Sequence, residues 1–373
     1  KILKGLTMSQ ATNLYALTLE QCANLIAKVG HKRTVIVQGD MGSAKTSGLR
    51  HLLKGMFPGH TYVEFDCTNK DVQDLSAPKF IAMAENMISD YVEFVPNAEL
   101  GAHLGVPVII NFDEFLKAME PVKRGVRRIM LERMVNGITL PEGSIIYGTS
   151  NLGSEGVGDT LAAHQRNAII MVRMAKPDAT RWIEWGINNG IDPSVLGWAR
   201  ENPQLFQSFE DVNNPDDNPY IYHPRAQRAA FVTQRSLESA SDIVKLRDVL
   251  DDHTVTGALI GAIGERGAMD LMSFVSLAND LPSLESIKRD PHNAKVPTSA
   301  AAICMIVFRT LSIIERDWVD NWMTYLERLP SEAGGMFANG VRAKGYGKQG
   351  MMMTHAAFTA FARTNAHLFA ADV

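Results

Sequence analysis

The sequence has little cysteine: Cys22, Cys67 and Cys304 stand far apart in 373 residues, and no two have metal-ligand spacing. This argues against a disulfide framework or a zinc site and fits a reducing compartment. Long hydrophobic runs are missing too. The most apolar stretch, residues 300–308, stops at Arg309, well short of the roughly 20 residues that span a bilayer. There is no basic excess: the formal net charge is -4, which weighs against a dominant nucleic-acid partner. The ten histidines form no i, i+4 pair on an expected helix, so a histidine metal site has no support. No serine nucleophile elbow appears, and no internal repeat. No secretory leader is recognisable at the start of the sequence, so a soluble, cytoplasmic protein is expected.

What is present is ordinary for a globular chain, with 46% hydrophobic and 21% charged residues. The length calls for two or three domains. Short β-branched runs at 34–37, 62–65, 108–112, 145–147 and 168–172 alternate with helical patterns. The alternation predicts a five-stranded parallel sheet with helices on both faces. Val122, Val126, Ile129, Met130 and Met134 share one helical face and should pack on that sheet. Strand signals fade near Pro177. The boundaries expected are an N-terminal helix and αβα domain over 1–176, an all-helical lid over 177–287 and a helical extension over 288–373. Within the extension, 333–350 is glycine-rich and reads as a mobile loop or a contact loop for a neighbour.

The expected first strand runs into Gly39, Asp40, Met41, Gly42, Ser43, Ala44, Lys45, Thr46 and Ser47, and a helical pattern follows. Strand, glycine-rich turn and helix form a phosphate-binding loop, because backbone N–H groups at a helix start make an anion nest. Lys45 should reach the β- and γ-phosphates and Thr46 should ligate Mg²⁺. Ala44 stands where glycine is usual, which is tolerable if that residue is already helical. About 70 residues on, Val108-Ile109-Ile110-Asn111-Phe112 ends in Asp113 and Glu114, the form of a Walker B motif. A strand of a parallel sheet presents its C-terminal end at the ligand edge. There Asp113 can hold Mg²⁺ and Glu114 can activate water.

The order of these motifs, over most of residues 20–290, resembles a MoxR-type AAA+ ATPase. It looks closest to the branch found beside proteins with a von Willebrand factor A domain. Further segments carry the likeness. Tyr91-Val92-Glu93-Phe94-Val95 is similar to an aromatic hairpin of the family. Met130-Leu131-Glu132-Arg133-Met134, followed by Gly137-Ile138-Thr139-Leu140, is similar to a helix and hairpin. Gly148-Thr149-Ser150-Asn151 falls where the family has sensor 1. The resemblance implies that Asn151 touches the γ-phosphate or the water. It implies that Arg166 is an arginine finger reaching into the next subunit, with Arg173 as an alternative. It also implies that Arg225, in His223-Pro224-Arg225-Ala226, is sensor 2 at a helix start. His223 departs from the serine more often found there.

The resulting expectation is an ATP- and Mg²⁺-dependent ATPase assembling as a hexameric ring or helical spiral. Lys45, Thr46, Asp113, Glu114, Asn151 and Arg225 would act from one subunit and Arg166 from the next. The family implies chaperone-like remodelling with a von Willebrand factor A domain protein as partner, and neither nucleic acid nor membrane. The rival readings are a nucleic-acid motor, either helicase or packaging ATPase, and a nucleotide-gated filament-forming scaffold with slow turnover.

Overall fold

The computed structural model describes residues 15–81, 91–152, 167–277 and 281–366. These fall into two compact units that divide between Lys176 and Pro177. No helix among the described residues is long and apolar enough to cross a membrane.

The first unit is built on strands β1 (Val35–Gly39), β2 (Thr61–Asp66), β5 (Val108–Asp113), β8 (Ile145–Asn151) and β9 (Ile170–Arg173). All five pair in parallel in the spatial order β2-β5-β8-β1-β9. The order differs from that along the chain because parallel neighbours need crossovers. Every residue of β8 and the first five of β5 are buried, as strands covered on both faces must be. One core on this sheet joins Phe65, Phe112 and Ile146 to Val122, Val126 and Ile129 of α3 (Glu120–Glu132). The other joins Val35, Val37 and Tyr147 to Ile26 of α1 (Leu19–Val29) and Leu49 and Leu53 of α2 (Lys45–Met56). The two helical periodicities thus face opposite sides of one sheet. Thr18 starts α1 with a reciprocal capping box to Gln21.

Two small antiparallel hairpins leave this layer. Strands β3 (Ser76–Ile81) and β4 (Tyr91–Pro96) form the first, at the segment expected to be an aromatic hairpin, and Phe80 and Phe94 are exposed on it. Strands β6 (Met134–Val135) and β7 (Ile138–Thr139) form the second, directly after α3.

The second unit is helical: α4 (Ala179–Asn188), α5 (Pro193–Glu201), α6 (Gln234–Lys245), α7 (Asp252–Leu277), α8 (Leu284–Arg289), α9 (Ala300–Ile313), α10 (Val319–Leu326), α11 (Ser331–Arg342), α12 (Gln349–Met353) and α13 (Ala356–Thr364). One core runs from Trp182 and Trp198 through Leu259 and Ile306 to Phe337 and Phe358. Where the sequence separates 177–287 from 288–373, α9 packs on α5 and the core is continuous.

Residues 333–350 are not a loop, which corrects the sequence expectation. They are mostly helix, in α11 and α12, with Phe337 and Val341 fully buried. The glycines serve close approach. A Cβ on Gly340 would sit 2.3 Å from Leu311 Cδ1, and one on Gly334 would sit 3.2 Å from Phe361 Cζ. Residues 224–233, expected to be helical, are turns and irregular chain before α6.

Because Trp198 and its neighbours on α5 are covered by α9, residues 177–287 alone should lack a cooperative melting transition. The fragment 177–366 should show one by circular dichroism.

Candidate nucleotide site

Three adjacent strands end at one edge of the sheet. Gly39 of β1 is in register with Asn151 of β8, and β5, beside β8, ends at Asp113. The chain leaves β1 through Asp40 to Ser43 and enters α2 at Lys45. Gly42 has φ 68°, a left-handed value at little cost for glycine. The Ser43 hydroxyl donates to Asp40 O at 2.7 Å and tightens the turn. The start of α2 has no side-chain cap and no acidic residue in its first turn. Its leading N–H groups therefore point at a space suited to an anion.

Lys45 is buried, with 6% exposure. Its Nζ donates to Gly39 O at 2.9 Å, Asp40 O at 2.7 Å and Asn151 Oδ1 at 2.8 Å. An ammonium has three protons to donate, so these contacts match its capacity. The Thr46 hydroxyl donates to Asp113 Oδ1 at 2.9 Å. Hydroxyl and carboxylate oxygens side by side are hard donors of the type Mg²⁺ takes, and the pair fits that ion.

Glu114 follows β5 in a left-handed conformation, φ 50°. Its Oε2 lies 3.3 Å from Lys117 Nζ and accepts from the Asn151 N–H at 3.4 Å. Strained backbone of this kind persists only where surrounding structure holds it, and it is common at functional sites. Asp66, in register with Asp113 at the end of β2, accepts from Thr68 N, Thr68 Oγ1 and Asn69 Nδ2. Burial opposes its charge, but those hydrogen bonds prevail and hold its carboxyl below the usual range. Nearby Cys67 is an inert thiol: burial, then the charge of Asp113, pushes its pKa well up.

The structure thus brings Lys45, Thr46, Asp113, Glu114 and Asn151 together. Arg173 ends β9, and its carbonyl accepts from Leu17 N at 2.8 Å. Arg166 lies outside the described residues. Arg225 belongs to the second unit and sits in a turn, nine residues before α6 begins, not at a helix start. Its guanidinium donates to Asn213 O and its N–H to His223 Nδ1. A tight turn bridged by side-chain hydrogen bonds replaces the expected helical start.

Thr149 was absent from the sequence-based candidates. Its hydroxyl donates to Asp113 Oδ1, with Asn111 Oδ1 at 3.3 Å. The signal was available: Thr149 and Asn151 are two apart on one strand and share a face. Ala44 is also corrected. It is not helical but left-handed, φ 57° and ψ 24°, a conformation that costs an L-residue roughly 1–2 kcal/mol.

No family model matches the chain, and no curated protein matches its sequence. Among solved structures it is similar to NtrX from Brucella abortus in complex with ATP, at 12% identity and TM-score 0.36, over 97% of this chain and 72% of that one. It is also similar to a candidate ATPase from Cytophaga hutchinsonii, at 10% identity and TM-score 0.32, over 94% of this chain and 90% of that one. A third is Hsp104 in a closed state with ATPγS and casein, at 14% identity and TM-score 0.33, over 76% of this chain and 49% of that one. Likenesses this distant assign no function.

Replacing Ala44 with glycine should remove the left-handed strain and stabilise the protein by about 1 kcal/mol, after the added freedom of the unfolded chain. Urea unfolding of the first unit's transition checks this, and an unchanged or lower midpoint would contradict it.

Proposed function

We propose that the protein hydrolyses ATP with Mg²⁺ at the edge where β1, β5 and β8 end. One observation supports this above the rest: a buried lysine of a glycine-rich turn, a threonine–aspartate pair and a strand-end glutamate meet at hydrogen-bonding distance. Lys45 would exchange Gly39 O, Asp40 O and Asn151 Oδ1 for phosphate oxygens, with the α2 N–H groups beside it. Thr46 would ligate Mg²⁺, and Asp113, oriented by the Thr149 hydroxyl, would hold its water shell. The bound ion would offset phosphate charge during transfer. Glu114 would orient and deprotonate the attacking water through Oε1, the oxygen not engaged by Lys117 or the Asn151 N–H. Asn151, once released by Lys45, would be free to contact the γ-phosphate or that water.

The finer reading rests on the sequence resemblance. Subunits would assemble as a hexameric ring or spiral, with Arg166 completing a neighbour's site and Arg225 responding to nucleotide from the helical unit. The work would be MoxR-like, chaperone-type remodelling, with a von Willebrand factor A domain protein as partner.

Glu114→Gln should leave ATP binding within about twofold by calorimetry and lower kcat by at least the factor of about 10² typical of general-base loss. Undiminished phosphate release would refute the base assignment. Arg166→Ala and Lys45→Ala subunits, each inactive alone, should regain activity when mixed, because intact sites form at some interfaces. Mixed assemblies that stay inactive would count against the shared site.

A further inference from the structure

A second charged site lies at the other end of β1. The α1–β1 connection and the C-terminal end of α3 border an open cavity of about 470 Å³, lined by Lys28, Val29, His31, Lys32, Arg33 and Arg133. Four of these six carry permanent positive charge, and no acid is among them. β1 has five residues, so the cavity lies roughly 16 Å from the Lys45 turn at about 3.3 Å per residue.

Arg133 is the anomaly. Nε and both terminal nitrogens of its guanidinium are buried and have no hydrogen-bond partner among the described residues. Its residue is left-handed, φ 57°, at the C-cap of α3. The helix-end carbonyls do not serve it. Ile129 O accepts from Arg133 N, Met130 O accepts from the Thr34 hydroxyl at 3.1 Å, and Val29 O accepts from Lys32 N and Arg33 N. Glu132, the adjacent acid, is paired with Arg128 at 2.8 Å.

Burial, then the neighbouring Arg33 charge, pulls the Arg133 pKa down to about 10, so it stays charged at neutral pH. A buried guanidinium with no acceptor among the described residues, beside a second one, is costly, because its lost hydration is not compensated. Such a cluster is stable when an anion supplies the missing acceptors.

We propose that this cavity binds a multiply charged phosphate anion of the polyphosphate class, with Arg133 as its central donor. One carboxylate would neutralise a single charge of four, whereas linked phosphates match both number and geometry. Guanidinium forks pair with phosphate oxygens two at a time, which Lys28 and Lys32 supplement as point charges. The phosphates can be free or part of a nucleic-acid backbone.

The probe is inorganic tripolyphosphate, titrated into the full chain carrying Lys45→Ala so that the first site does not contribute. Saturable heat and a raised Tm are expected at fixed ionic strength. Adding Arg133→Met should weaken binding by about tenfold or more, since it removes the charge-assisted hydrogen bonds of one guanidinium. The same variant should fold at least as stably without ligand, because it removes a buried charge, so misfolding is separable. Absent saturable binding, equal affinity in the Arg133→Met variant, or the same shift from sulfate would overturn the proposal. A single-stranded oligonucleotide that binds more tightly than tripolyphosphate, and needs Arg133, would assign the phosphate to a nucleic acid. Weaker binding of it would assign a free anion. The Lys45 site can fail its own tests without touching this one.

Discussion

A buried ammonium must find acceptors, and the Lys45 charge organises one edge of the sheet. Two acceptors are local carbonyls, Gly39 O and Asp40 O, which the glycine-rich turn directs inward. The third, Asn151 Oδ1, comes from 106 residues away. It arrives only because β8 lies beside β1 in register, Gly39 opposite Asn151. With β8 in place, β5 on its other side brings Asp113 to the Thr46 and Thr149 hydroxyls. A ligand that recruits Lys45 therefore frees Asn151 in the same step. The coupling between turn and strand end follows from shared hydrogen bonds and needs no separate device.

Backbone strain is concentrated where charge is handled. Among the described residues, four that are not glycine have positive φ: Ala44, Glu114, Arg133 and Asn136. Ala44 opens α2 against the anion space. Glu114 turns its carboxylate away from β5 toward Lys117 and the Asn151 N–H. Arg133 ends α3, and its side chain borders the basic cavity. The two buried cations make an instructive contrast. Among the described residues Lys45 has three acceptors and the Arg133 guanidinium has none, and the difference separates a satisfied cation from the one to which the proposed anion is assigned.

The helical unit shows how composition misleads when packing is unknown. Glycine and small residues in α11 allow Leu311 and Phe361 to approach its backbone, so a segment that reads as a loop is part of the core. Tyr346 reinforces this by donating to Leu311 O at 2.6 Å.

By itself the sequence determined much of the first unit. Five β-branched runs became the five parallel strands; the central β1, β5 and β8 are buried almost throughout because helices cover both faces, whereas the edge strands β2 and β9 are partly exposed. The last starts two residues and ends one residue later than expected, at Ile170–Arg173. Lys45, Thr46, Asp113 and Glu114 were singled out because a glycine-rich turn, a helix start and a strand end impose residue types locally, whereas Asn151 was expected only through the sequence resemblance. Only the tertiary structure decided the rest. Thr149 joined the site through strand adjacency, and Arg225 went to a turn held by His223 and Asn213. Residues 177–287 and 288–366 merged through one core. The Arg133 guanidinium is buried with no acceptor among the described residues because two helix ends, remote in the chain, meet beside it. Each of these depends on which elements become neighbours, and a local pattern carries no record of that.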